Sequence, residues 1–74
     1  MSDLVAASRL FPPSLDEQIA CADREIAMRE RVYPAWVRQG RMKQPKADRE
    51  IETMRAIAAS LRRLKDHEMR QERD

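Results

Sequence analysis

Apolar positions along this chain recur at helical intervals in two long tracts, and nowhere at the alternating interval of a half-buried strand. In the first tract Leu15, Ile19, Ala22, Ile26, Tyr33 and Trp36 follow one another by three, four or seven residues. Written as a heptad seam, the tract holds Leu15, Ile19, Ala22, Ile26, Arg29, Tyr33 and Trp36, with Val32 and Val37 widening its far end. In the second, Ala47, Ile51, Met54, Ile57, Ala58, Leu61 and Leu64 make a broader stripe. Each pattern predicts an amphipathic α-helix.

The punctuation agrees with the periodicity. Ser14-Leu15-Asp16-Glu17 is a capping box, in which the Ser14 hydroxyl accepts from the Glu17 N–H and the Glu17 carboxylate reaches back to the Ser14 N–H. Asp16 and Glu17 also suit the positive end of the helix dipole. Pro34 lacks a donor and crowds the preceding turn, yet the apolar period continues through Trp36 and Val37, which predicts a kink rather than a stop. Gly40, the one glycine, sits where a left-handed C-terminal cap belongs. Pro45 suits the first position of the second helix, where no N–H is needed. The boundaries read as an N-terminal arm over 1–13 and a hairpin over 14–72, with a helix over 14–39, a turn over 40–44 and a helix over 45–70. Beyond Leu64 only Met69 is apolar. The i,i+4 pairs Arg62–Asp66 and Asp66–Arg70 would prolong the helix by ~0.3 kcal/mol each, with fraying expected near the end. In the arm, Leu4, Val5, Leu10 and Phe11 show no sustained period, and Pro12-Pro13 closes any short helix there. Such apolar residues either pack back on the domain or form a docking motif.

The predicted fold is all-α: an antiparallel two-helix, coiled-coil-like hairpin with a short connection. Its second stripe, spanning Ile57, Ala58, Leu61 and Leu64, is wider than one partner helix covers. A hairpin of this size is short of core, and a two-fold dimer closing a four-helix bundle is the expected remedy. A foreign helix or groove on the same strip is the rival one.

Composition narrows the class. At 74 residues there is room for one domain with a thin core. The chain is 42% hydrophobic and 38% charged, too apolar for a disordered tail and too charged for a membrane protein. No apolar run approaches the ~18 residues of a membrane span. Met1–Phe11 has Asp3 where a secretory signal carries basic residues, and its longest apolar run is Leu4–Ala7. A cytoplasmic protein is expected. The lone Cys21 fits a reducing compartment and reads as a small core residue, an intermolecular disulfide across a dimer axis being the alternative. The net charge is only +2, but Arg38, Arg41, Lys43, Lys46 and Arg49 face Asp48 alone within 38–49, so the rest of the chain carries an acidic excess.

Little in the sequence supports catalysis. His67-Glu68 opens like a zinc-protease helix, but the second histidine of that motif is replaced by Gln71. One histidine and one distant cysteine make no metal set. One glycine cannot build a phosphate loop, and the Asp16–Glu17 carboxylates are accounted for by capping. Arg29 has two readings. Its stem can pack while its head reaches solvent, Glu25 or Glu30, or it can fix helix register as a polar seam residue. The segment around the turn joins Tyr33 and Trp36 to the basic cluster. Either the rings cap the core while the charges solubilise the loop, or Tyr33, Trp36, Arg38, Arg41, Lys43, Lys46 and Arg49 form a partner-binding tip. An acidic protein surface or phosphates would suit it, with Trp36 a stacking platform for single-stranded nucleic acid.

The string Tyr33-Pro34-x-Trp36-Val37-x-x-Gly40-Arg41-Met42, followed by Ala47-x-x-Glu50-Ile51-x-x-Met54, resembles a group of short proteins encoded by tailed bacteriophages and prophages of Gram-negative bacteria. The resemblance runs from about Leu15 to Leu64. It implies a phage context, in which small helical proteins regulate or inhibit host machinery by binding it, and it carries over no catalytic or binding residues. The expected function is that of a non-enzymatic, cofactor-free phage or prophage accessory protein, cytoplasmic in the host, that dimerises and binds a host protein to modulate or inhibit it. The alternatives are a nucleic-acid-binding accessory protein using the basic tip, and a structural adaptor of a phage complex.

Overall fold

A computed structural model of the chain describes residues 11–72, which form two helices, α1 (Leu15–Arg38) and α2 (Gln44–Glu72). Leu4, Val5 and Leu10 of the predicted arm lie outside the described residues.

The start of α1 is set by local chemistry. Ser14 is extended (φ −68°, ψ 165°), and its Oγ accepts from the Glu17 N–H at 3.1 Å. The Ser14 N–H donates to Glu17 Oε1 at 3.4 Å, completing the capping box. The end of α1 is a Schellman motif: the Gly40 N–H donates to the Val37 carbonyl (3.0 Å) and the Arg41 N–H to the Trp36 carbonyl (2.9 Å). Gly40 takes φ +74°, the left-handed conformation this closure requires. Pro34 does not stop the helix, which runs through it to Arg38. Helix α2 begins one residue earlier than predicted, so Pro45 is its second residue, still within the turn where no intrahelical donor is needed. It runs on to Glu72, two residues past the predicted end.

The helices lie antiparallel and meet along the predicted seam. Among the described residues four are buried, Ala22, Tyr33, Ala47 and Ala58. Three of them are alanines, so α1 and α2 approach closely, and the larger seam residues Leu15, Ile19, Ile26, Ile51, Met54 and Leu61 flank the contact half-buried. Two helices side by side make a single layer with two broad faces. The radius of gyration, 16.5 Å, exceeds the roughly 11 Å of a compact domain of this length.

One face is closed by charge. Asp16, Asp23 and Glu30, seven residues apart on α1, pair with Lys65, Arg62 and Arg55 of α2. These partnerships correct one expectation and narrow another. Arg62 reaches across to Asp23 instead of along its own helix to Asp66, and with Glu30 serving Arg55, Glu25 is the one of the two expected carboxylates that Arg29 takes. Arg29 bonds Glu25 (2.9 Å) on its own helix and both the carbonyl (3.1 Å) and carboxylate (3.3 Å) of Glu50 on α2. Burial opposes its charge. The Glu25 hydrogen bond and the fields of Tyr33, Glu25 and Glu50 outweigh that and hold its pKa above the ordinary arginine value. Both readings find a contact: the head pairs with Glu25 on its own helix, and its bonds to Glu50 make a polar link across the seam.

The other face stays apolar and open. Ile57 and Leu64 remain 44% and 47% exposed, on the side of the stripe that the sequence shows to be too wide for one partner. Cys21 corrects its expected place in the core: it is exposed. The seam takes Ile19 and Ala22, and a residue between them points about one quarter-turn away.

Candidate interaction surfaces

The turn end of the hairpin holds the sequence-predicted partner residues, in different environments. Tyr33 is buried between the helices and belongs to the core rather than to an exposed contact surface. Its ring stacks on that of Trp36, with centroids 5.5 Å apart and planes inclined by 29°. Arg41 lies over Trp36 at 5.1 Å, held there because its own backbone N–H closes the Schellman motif onto the Trp36 carbonyl. Arg29 lies over Tyr33 at 5.8 Å. Cation, ring, ring and cation thus alternate from Arg29 through Tyr33 and Trp36 to Arg41, a sequence of contacts each worth about 0.5–1.5 kcal/mol. Trp36 is half-buried, with two neighbours already on its ring.

Around this stack the basic residues are exposed. Arg38, Lys43 and Lys46 make no ion pair among the described residues, while Arg49 makes a loose one with Glu52 at 3.8 Å. The Arg41 guanidinium touches the Gln39 amide oxygen at 3.5 Å. A groove of about 490 Å³ opens on the charge-closed face near the same end, lined by Tyr33, Pro34, Ile51, the acidic Glu30, Asp48 and Glu52, and Arg55, which pairs with Glu30. The tip is therefore basic around the turn and of mixed charge where Tyr33 and Pro34 meet α2.

A second groove, of about 580 Å³, lies on the open face nearer the free end of the hairpin. Met54, Ile57 and Leu61 of α2 form one wall; Ala20, Cys21 and Ala22 of α1 form the other, with Glu17, Arg24 and Pro13 at its border. Sequence reasoning finds the α2 wall from the excess width of its stripe. It misses the α1 wall because Ala20 and Cys21 lie off the seam; the signal available was that both are small, apolar and adjacent.

His67 is exposed on α2 and meets Gln71 at 3.1 Å. Among the described residues no three His, Cys, Asp or Glu side chains are grouped to hold a metal ion, and no helix is long and apolar enough to cross a membrane. Comparison with protein-family models, with curated proteins and with solved structures finds no match.

Proposed function

We propose that this chain is a small phage or prophage accessory protein that works by binding, not catalysis, as a dimer of hairpins closing a four-helix bundle. Its tip docks on an acidic surface of a host protein and modulates or inhibits that protein. The observation that carries the proposal is the tip itself: Trp36 pre-positioned by Tyr33 and Arg41 beside exposed basic side chains, on a turn fixed by two backbone hydrogen bonds. An aromatic ring and arginines whose geometry is set before binding lose little freedom on contact, the usual make-up of an interface hot spot. The phage context comes only from the sequence resemblance, which runs from about Leu15 to Leu64.

The competing reading, nucleic-acid binding, uses Arg38, Arg41, Lys43, Lys46 and Arg49 on phosphates. It is less well supported, because Arg41 already occupies Trp36 where a base would stack and the basic cluster is small. Affinity capture from a bacterial host lysate, with and without nuclease, separates the two. A specific protein retained after nuclease and lost with Trp36→Ala is expected. Retention abolished by nuclease, together with a shift of short DNA at 150 mM salt that disappears on charge reversal at Arg41 and Lys43, would establish the nucleic-acid reading instead.

A further inference from the structure

We propose that the open-face groove is the dimer interface, and that the second copy packs on it about a two-fold axis running level with Cys21 and Leu61. This deepens the dimeric reading above and rests on it. The argument begins with α1. Glu17 and Arg24 border the groove on one stripe of the helix, seven residues apart, with Ala20 and Cys21 midway between them. A segment with opposite charges at its two ends and small residues at its centre is complementary to itself run backwards. Laid antiparallel on its own copy, it sets Glu17 against Arg24 of the second copy, and the reverse, while Ala20 and Cys21 let the backbones approach.

Helix α2 carries the same symmetry independently. Ile57, Leu61 and Leu64 are spaced by four and then three residues on one stripe, and the outer two are the residues of that stripe left most exposed. Reversed about a point between Ser60 and Leu61, Ile57 meets Leu64 of the second copy and the two Leu61 side chains flank the axis. The centres on the two helices need not have coincided, yet the ion pairs place them together. Asp23–Arg62 and Asp16–Lys65 fix the register of α1 on α2, and within that register Cys21 and Leu61 stand on the same groove. One two-fold axis therefore satisfies both helices, and an isologous contact demands this of a surface that meets itself.

The border charges are available. Arg24 is exposed and pairs with no carboxylate among the described residues, and the capping box engages Glu17 through Oε1, leaving its second oxygen free. The opposite face is charged instead: three cross-helix ion pairs run along it, and Glu30, Asp48, Glu52 and Arg55 line its groove. The rival occupants are a foreign helix and the chain's own residues 1–10, which join the described part close to Pro13 at the groove border.

The test combines sedimentation equilibrium of the full chain with a short bismaleimide that joins two thiols. The wild type should sediment at twice the 8.7 kDa chain mass and give a covalent dimer that Cys21→Ser abolishes. Arg24→Glu should weaken dimerisation by about tenfold or more, because it sets like charges against each other twice. Glu17→Lys combined with Arg24→Glu should restore most of that loss, a rescue that damage to the cap could not produce. Circular dichroism of each variant checks that the helices persist. A monomer at every concentration would overturn both the interface and the dimeric reading, leaving the groove to one of the rival occupants. A dimer that neither cross-links through Cys21 nor responds to Arg24→Glu would overturn this interface while the dimeric reading stands.

Discussion

Gly40 is the residue whose replacement is most easily interpreted. A Cβ built there meets nothing within 4 Å, so Gly40→Ala introduces no clash, only the cost of a positive φ in a residue with a side chain. A loss of about 1 kcal/mol is expected in thermal or denaturant unfolding. Ser14→Ala should cost a similar ~1 kcal/mol by removing the acceptor for the Glu17 N–H, and an unchanged thermal midpoint would show the box to be dispensable. Ala58 tests the opposite constraint. It is 2% exposed in the contact between α1 and α2, so Ala58→Leu should force the helices apart at about 1–3 kcal/mol. Ser14 and Gly40 were legible in the sequence because caps depend on residues within one turn. Arg29 was half legible: its place on the seam showed, but its partner Glu50 lies on the other helix, and periodicity says nothing about register.

For whole elements, the difference between what the sequence shows and what it hides has the same cause. Both helices, their order and their contact stripes follow from apolar spacing, and the boundaries moved by one or two residues because caps share their hydrogen bonds across such distances. The cross-helix ion pairs were hidden by the competing local pairs, and Arg62 had Asp66 on its own helix to choose. In hindsight Asp16, Asp23 and Glu30, and opposite them Arg55 and Arg62, repeat at the heptad interval, so the pattern was present once an antiparallel partner is assumed. Helix α1 also carries an internal cost. Pro34 is exposed, and a proline within a helix removes a backbone hydrogen bond and crowds the previous turn. Pro34→Ala should therefore stabilise the hairpin, by up to ~3 kcal/mol, and a raised thermal midpoint is the measurement that checks it. If binding of the proposed host partner is weakened at the same time, the proline is there to shape the tip.

For the molecule as a whole, the balance lies between a small alanine-rich core and a large open face. Leu61 is only half-buried within one hairpin, but a second copy would place it at the centre of a shared core. Leu61→Ala is then expected to cost about 2–5 kcal/mol and to make the thermal midpoint depend more steeply on protein concentration. The proposed two-fold axis crosses α1 about fifteen residues before Trp36, so the two tips point in opposite directions and stand about 45 Å apart at 1.5 Å per residue. A dimer of this form offers two equal and distant contacts instead of one composite patch, and titration calorimetry should find one host protein bound per chain.

The short connection between α1 and α2 has a consequence in time. Residues 39–43 close a small loop, and α1 is started and stopped by its own residues, so most contacts of one hairpin are local and the cross-helix ion pairs are the distant ones. Chains of that kind cross their main folding barrier in microseconds to milliseconds. In the proposed dimer, pairing of two hairpins depends on encounter and slows with dilution. Temperature-jump relaxation should thus resolve two phases, a fast one independent of concentration and a slower one that scales with it. A newly made chain would acquire its tip long before it found its second copy.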